Sequence, residues 1–268
     1  MRKGRIGLGA LAVGTLLVLY VPLVAVAALS VNASRYGVAW KGFSLQWYAR
    51  LLGNAVVLGA AANTVVLAAA STACATVLGT LLALGLERFP WPRRLKRAID
   101  ALVTVPVVIP DIVFAVGMLL AFEAARGLFA SLRLGMFTMV LAHITFETPF
   151  IALVVGSRLV TVGRTVEEAA RDLYADTRYA MRRVTLPLLL PGVVAGAMLA
   201  FTLSLDDFVI SFFTSGPASV TLPLYIYGAL RRGISPEVHA LSTVIFVVTV
   251  LLVLGLELVM RSPKEKQS

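Results

Sequence analysis

Residues 165–192 read TVEEAARDLYADTRYAMRRVTLPLLLPG. This is the one long, highly charged interior segment in an otherwise oily chain. Thr165 followed three residues later by Glu168 has the pattern of a capping box. In that motif the hydroxyl accepts a backbone N–H of the first turn and the carboxylate reaches back to the cap N–H. Val166, Ala169, Ala170 and Leu173 recur at i, i+3, i+4 and i+7, one face of a short helix. Glu167, Arg171 and Asp172 lie off that face. Asp176 is placed to cap a second short helix running through Arg182 and Arg183. Pro187 and Pro191 then suit the first turn of a further helix. The spacing predicts two short helices and then the start of an apolar one.

On either side the chain is apolar. With 268 residues, 59% of them hydrophobic, and a mean hydropathy of +0.90, it reads as a polytopic membrane protein, not a soluble domain with a large core. Cys74 is the only cysteine, which excludes an intrachain disulfide. Arg2, Lys3 and Arg5 precede an apolar run that is too long for a cleavable signal and lacks a clear A-x-A exit. That run reads as an anchor. No repeat of 20–50 residues is visible, and no inverted repeat of the kind found in many secondary transporters.

A span needs roughly 20 apolar residues. Six segments qualify, at about 8–29, 56–86, 99–122, 134–160, 190–213 and 238–260. Basic residues set their orientation. Seventeen fall in the N-terminus, the 87–97 turn, the 158–183 segment and the C-terminal tail. Seven, namely Arg35, Lys41, Arg50, Arg126, Arg133, Arg231 and Arg232, fall in the alternate loops. The positive-inside rule then places both termini and the 165–192 loop in the cytoplasm. The expected fold is all-α, with six transmembrane helices and cytoplasmic helices between the fourth and fifth. The net charge of +10 is mostly topology, and nucleic acid is not an expected partner.

Ionisable groups inside spans are costly and mark function by default. The fifth segment carries Ser204, Asp206 and Asp207 in LSLDDFVIS. On a continuous helix Asp206 would lie roughly 20 Å above Gly192, in the outer half of the bilayer. Adjacent buried carboxylates repel unless a cation is present. An ammonium substrate or an arginine of a neighbouring helix could supply one. The third segment carries Asp111 directly after Pro110, with Pro106 before it, so that helix is distorted near mid-depth. Asp111 could cap the restarting helix, meet a ligand, or do both. In the fourth, His143 and Glu147 are i, i+4 neighbours, suited to interhelical bonding or to a cavity wall. Trp40, Trp47, Tyr225 and Tyr227 suit an interfacial belt, and their faces also attract ammonium groups.

The 165–192 segment resembles the EAA loop of ABC importer permeases. Glu168 matches the motif's glutamate, Ala169 and Ala170 its alanines, and Leu186 and Pro187 its closing pair. Tyr174 stands where that family usually has glycine. A left-handed residue there is costly for tyrosine, so the turn is expected to survive with Tyr174 away from positive φ. Further likeness runs through SVNASRYGVAWKGFSLQWY, PDIVFA, AHITF, FTLSLDDFVIS and GPASVTLPLYIYGALRRGISPEVHALST. Together these resemble the inner-membrane permeases of bacterial spermidine/putrescine ABC importers. Glu147 is a departure, at a position not expected to be acidic.

The resemblance implies one multi-pass membrane domain over 1–268, an importer core at about 57–260 and a coupling loop at 161–189. It implies a homologous second permease, two cytoplasmic ATPase subunits and a periplasmic polyamine-binding protein. ATP and Mg would be bound by those ATPases, with no cofactor in this chain. By match, Trp47, Asp111, Ser204, Asp206 and Asp207 are assigned to the substrate pathway. Glu168, Ala169, Ala170, Leu186 and Pro187 are assigned to ATPase coupling. No metal ligand and no catalytic residue is assigned. The chain has no G-x-x-x-x-G-K-[ST] phosphate loop, so ATP hydrolysis is expected elsewhere. The alternatives are an ABC permease for another small cationic or organic solute, or an ion-coupled carrier using Asp206, Asp207 and Glu147. An intramembrane enzyme would need a nucleophile with a base, and no G-x-S-x-G or H-E-x-x-H occurs.

Overall fold

The structure is a computed structural model and describes residues 2–34, 39–129, 131–232 and 236–260. Arg35 and the basic tail from 261, used above for topology, lie outside the described residues. Helix α1 is Arg2–Ser30, α2 Gln46–Gly53 and α3 Ala55–Arg88. Then follow α4 Arg93–Val108, α5 Asp111–Leu128 and α6 Met136–Val162. Two short helices, α7 Thr165–Asp172 and α8 Thr177–Ala180, precede a π-helical turn at Met181–Thr185 and α9 at Leu186–Leu205. The chain continues as α10 Val209–Thr214, α11 Leu222–Arg232 and α12 Pro236–Met260. No strand occurs among the described residues, which hold one isolated bridge between Asn32 and Phe43. The chain is an all-α membrane protein. Four helical stretches are long and apolar enough to cross a bilayer, five if α4 and α5 count as one bent span.

The chain forms two compact units. The first comprises 1–58 and 226–268. Within it α12 packs along α1 and against α2. The 31–44 loop is held by Asn32, whose Oδ1 accepts the N–H groups of Ser34 and Lys41 and whose Nδ2 donates to the Ala39 carbonyl. One amide thereby supplies the partners that an irregular loop backbone would otherwise lack.

The second unit, 59–225, is built around α6. One side of α6 meets α3 and α9 through Ile151, Val155 and Leu159, packed with Ala75, Ala83, Leu189 and Ala200. Backbones come close there. A Cβ on Gly79 would stand 2.8 Å from both the Ile151 Cβ and the Thr148 carbonyl oxygen. In lipid there is no hydrophobic drive between helices, so small residues that permit close van der Waals packing take its place. The other side of α6 meets α5 and α10 through Phe146, which stacks at tilted angles between Phe114 and Phe150.

Three segments depart from straight helices. The third span is two helices bent by 109° between α4 and α5. Pro110 excludes the α region for the residue before it, and Ile109 is extended at φ −69°, ψ 138°. The fifth span does not continue to 213. α9 ends at Leu205 and a new helix starts at Val209. Third, the second loop helix does not stop before the fifth span. It runs into α9 through the π turn, where the Leu186 N–H reaches back to the Met181 carbonyl. That wider turn gives room just ahead of Pro187, whose ring crowds the preceding turn.

The loop itself corrects two expectations. The capping box at Thr165 and Glu168 does not form. Gly163 turns the chain at φ +70°, so Arg164 becomes the N-cap and Thr165 is already helical. Asp176 does cap α8, accepting the Tyr179 N–H at 2.6 Å. The turn between α7 and α8 survives, but Tyr174 sits at φ +63°. The reason is a Schellman motif. The Tyr174 N–H bonds the Arg171 carbonyl at 2.9 Å and the Ala175 N–H bonds the Ala170 carbonyl at 3.0 Å. Two closed carbonyl partners outweigh a left-handed cost of about 1–2 kcal/mol, and the ring is free of crowding at 99% exposure. Tyr174→Gly is therefore expected to stabilise the purified chain by ~1 kcal/mol, read as a raised midpoint in thermal unfolding in detergent.

Candidate functional site

A buried polar network lies where α3, α6, α9 and α10 meet. His143 and Glu147 on α6 are each 1% exposed. His143 Nδ1 lies 2.7 Å from Ser204 Oγ and 3.6 Å from Glu147 Oε1. Its Nε2 lies 3.3 Å from both Asp207 Oδ2 and Ser211 Oγ. Ser71 on α3 donates to Glu147 Oε1 at 2.7 Å and lies 3.3 Å from Ser204 Oγ. Glu147 Oε2 meets no donor among the described residues. Of the two readings left open for His143 and Glu147, interhelical bonding is what this geometry performs.

The network explains the break after α9. Asp207 turns its carboxylate onto the start of α10, accepting the N–H of Ile210 at 3.1 Å and of Ser211 at 2.8 Å. That is N-terminal capping, and it ends one helix by starting another. Its cation-capable neighbour is His143, not an arginine. Asp206 is the C-terminal cap of α9, and its side chain is exposed. Among the described residues the Asp206 carboxylate meets its own backbone N–H, and no other residue donates to it. The pair is thus split: Asp207 is absorbed by the fold and Asp206 is open.

The remaining pathway residues are placed as follows. Ser204 joins the buried network at 3% exposure. Asp111 occupies the first turn of α5, exposed, with Pro110 as the N-cap. It does not cap the helix but lies in its first turn, where negative charge is favourable. Trp47 belongs to the first unit. It is 2% exposed, its indole N–H donates to the Asn32 carbonyl at 2.8 Å, and the Arg50 guanidinium covers its ring at 4.9 Å.

At the 165–192 loop, Glu168 and Ala169 are exposed and Ala170 is half-buried. Leu186 and Pro187 are exposed at the start of α9. Leu173, at 82% exposure, extends the same open apolar strip from Val166 and Ala169. Behind it, Glu167 is drawn inward. Its Oε1 accepts from Arg88 Nε at 2.9 Å and from Thr185 Oγ1 at 3.0 Å.

Comparison with known proteins places this arrangement. Residues 75–262 match the family model of binding-protein-dependent transport system inner membrane components. The chain belongs to that family. The permease is 39% identical over 243 residues to the Haemophilus influenzae spermidine/putrescine transport system permease protein PotC, covering 91% of this chain and 92% of that one. It is 39% identical over 228 residues to the Escherichia coli putrescine transport system permease protein PotI, covering 85% and 81%. In structure it resembles a bacterial alginate ABC transporter solved in complex with a pentasaccharide-bound periplasmic protein. There the TM-score is 0.74 at 17% identity, over 100% of this chain and 96% of that one. At that identity the likeness concerns the fold alone. The permease is an inner-membrane transport component.

Sequence reasoning found the acidic pair and the loop but missed the roles of Glu167, Arg88 and Ser71. Arg88 and Glu167 are 79 positions apart, and nothing in local spacing joins them. Ser71 is a small residue in an apolar helix, and nothing in the local pattern points to Glu147 as its partner. Removing His143 leaves two carboxylates and two hydroxyls without their shared partner. His143→Ala is expected to destabilise the permease by roughly 1–3 kcal/mol in detergent unfolding, whereas Asp206→Asn stays within about 0.5 kcal/mol.

Proposed function

We propose that this permease is the membrane subunit of an ATP-driven importer carrying polyamines, spermidine and/or putrescine, across the bacterial inner membrane. The observation that carries the reading is Asp206. It is an exposed carboxylate with no partner from another described residue, at a helix break within an apolar span, in a chain related to PotC and PotI. A flexible multivalent cation needs such compensating charge to pass a low-dielectric wall. We assign Asp206 and Asp111 to direct contact with ammonium groups, and Ser204 and Asp207 to the wall that holds them. Trp47 is buried and its ring face already holds the Arg50 guanidinium, so a substrate ammonium would reach that face only by displacing Arg50.

The assembly in this reading is the one the motif implies. A homologous second permease completes the pathway, two cytoplasmic ATPases bind ATP and Mg, and a periplasmic polyamine-binding protein delivers substrate. Six spans with both termini inside, one membrane domain over 1–268 with its importer core at about 57–260, and a coupling loop at 161–189 belong to the same reading. The strip of Val166, Ala169 and Leu173 beside Glu168 is the face offered to an ATPase groove. Leu186 and Pro187 lead the resulting motion into α9.

The test is labelled spermidine uptake by cells expressing the whole transporter, with unlabelled putrescine as competitor. Asp206→Asn is expected to lower uptake about tenfold or more at unchanged membrane abundance, since an ammonium loses a charge-assisted partner. Unchanged uptake would overturn the role of Asp206. Absence of polyamine uptake in the wild type, with ATP-dependent uptake of another solute, would favour a different small cationic or organic substrate. The coupling assignment is tested separately. Glu168→Lys is expected to abolish both uptake and substrate-stimulated ATP hydrolysis, by placing a like-signed or unpaired charge on the docking face. Normal values for both would remove Glu168 from coupling.

A further inference from the structure

The exposed strip on α7 can transmit force only if α7 is fastened to the spans. In this chain the fastening converges on one oxygen atom. Glu167 Oε1 accepts from Arg88 Nε at 2.9 Å and from Thr185 Oγ1 at 3.0 Å. Arg88 is the last residue of α3, and its Nη2 also donates to the Gly163 carbonyl at 3.1 Å, at the turn between α6 and α7. Thr185 is the last residue of the π turn and is buried. Arg164, the N-cap of α7, adds a bond to the Glu87 carbonyl at 2.8 Å. The inner ends of α3, α6 and α9 are therefore all tied to α7 within one residue of Glu167 or its partners.

The pair is shielded as well as short. The Arg88 and Glu167 side chains are 16% and 14% exposed, against 37% and 30% for the neighbouring Lys96–Glu87 pair. A shielded guanidinium–carboxylate bond is stiffer and stronger than an exposed pair, whose contribution is near zero. Position matters too. The π turn between α8 and α9 has the wide bonding of a compliant segment. Glu167 grips the last residue of that turn, so a load applied to α7 reaches α9 without passing through it.

We propose that Glu167 is a positioning residue for energy coupling. With Arg88 and Thr185 it forms a strut that carries movement of the loop to α3 and α9 together. Glu168 faces the ATPase and Glu167 faces the spans. The proposal rests on the importer function proposed above and adds a residue to it.

The strut is tested with the whole importer reconstituted in vesicles, measuring labelled polyamine taken up and ATP hydrolysed in the same sample. Glu167→Gln keeps the acceptor for Thr185 but loses the charge toward Arg88. Glu167→Gln and Arg88→Gln are each expected to assemble normally and hydrolyse ATP within about twofold of wild type, while uptake per ATP falls about tenfold. Arg88→Lys, which keeps a cation and a donor toward Glu167 and leaves Thr185 its acceptor, is expected to retain most of that ratio. A purely structural role would lower uptake and hydrolysis together, through less assembled complex, and leave their ratio unchanged. An unchanged ratio in both glutamine variants, or a loss in Arg88→Lys as large as in Arg88→Gln, overturns the strut. Absence of ATP-driven polyamine uptake in the wild type overturns instead the function on which it rests.

Discussion

The constraint that governs this molecule is that its helices meet in lipid, where apolar side chains gain nothing by leaving one apolar phase for another. Specific contact must come from close backbone approach and from polar groups that have no other partner. Helix α6 carries both. Ile151 is met by Gly79 and Gly196, positions where a side chain would hold the helices apart. Four residues before Ile151, Glu147 begins the polar network that reaches Ser71, Ser204, His143 and Asp207. One helix thus sets both how near its neighbours lie and which register they take. Sliding α9 along α6 by one residue would remove Ser204 from His143 and press Gly196 off Ile151 at once.

The same network decides where the fold is allowed to break. Non-helical backbone at membrane depth must be satisfied by protein or by a water-lined cavity. At the end of α9 it is satisfied by the Asp207 carboxylate, which is itself held by His143. At Ile109 the break is set by proline stereochemistry. At the π turn the helix is widened, and its last residue is anchored from outside by Glu167. Each departure has its own local cause, and each lies beside a residue with a proposed part in transport.

Much of this was legible in the sequence. The all-α class followed from hydropathy, the loop from its charge, the Asp176 cap from side-chain chemistry, and the distortion of the third span from Pro110. Position 174 was legible as one that asks for a left-handed residue. What misled was weighing the cost of tyrosine there without the two hydrogen bonds that the Schellman turn closes. The capping box failed for a related reason, because its pattern says nothing of how close the preceding helix ends. Helical periodicity assigns residues to faces but does not say what a face will meet. Arg88 with Glu167, and Ser71 with Glu147, are encounters between segments more than 70 positions apart.

The two acidic doublets show this limit and its functional sense together. Glu167 and Glu168 are neighbours on a helix, where side chains point roughly 100° apart, and Asp206 and Asp207 are neighbours at a helix break, where the chain turns between them. A doublet at the rim of a packed bundle therefore cannot turn both carboxylates the same way. In each, one member is drawn into the protein and fully engaged: Glu167 by Arg88 and Thr185, Asp207 by His143 and two backbone amides. The other is exposed. The engaged member fixes the backbone of its neighbour, so only the side-chain rotamers of the exposed carboxylate are left to be ordered when a partner arrives. Preorganisation of this kind lowers the entropic cost of binding. The doublet is thus more than doubled charge: it is an anchor beside an exposed carboxylate, whose proposed contact is a protein partner at the loop and a cation at the helix break.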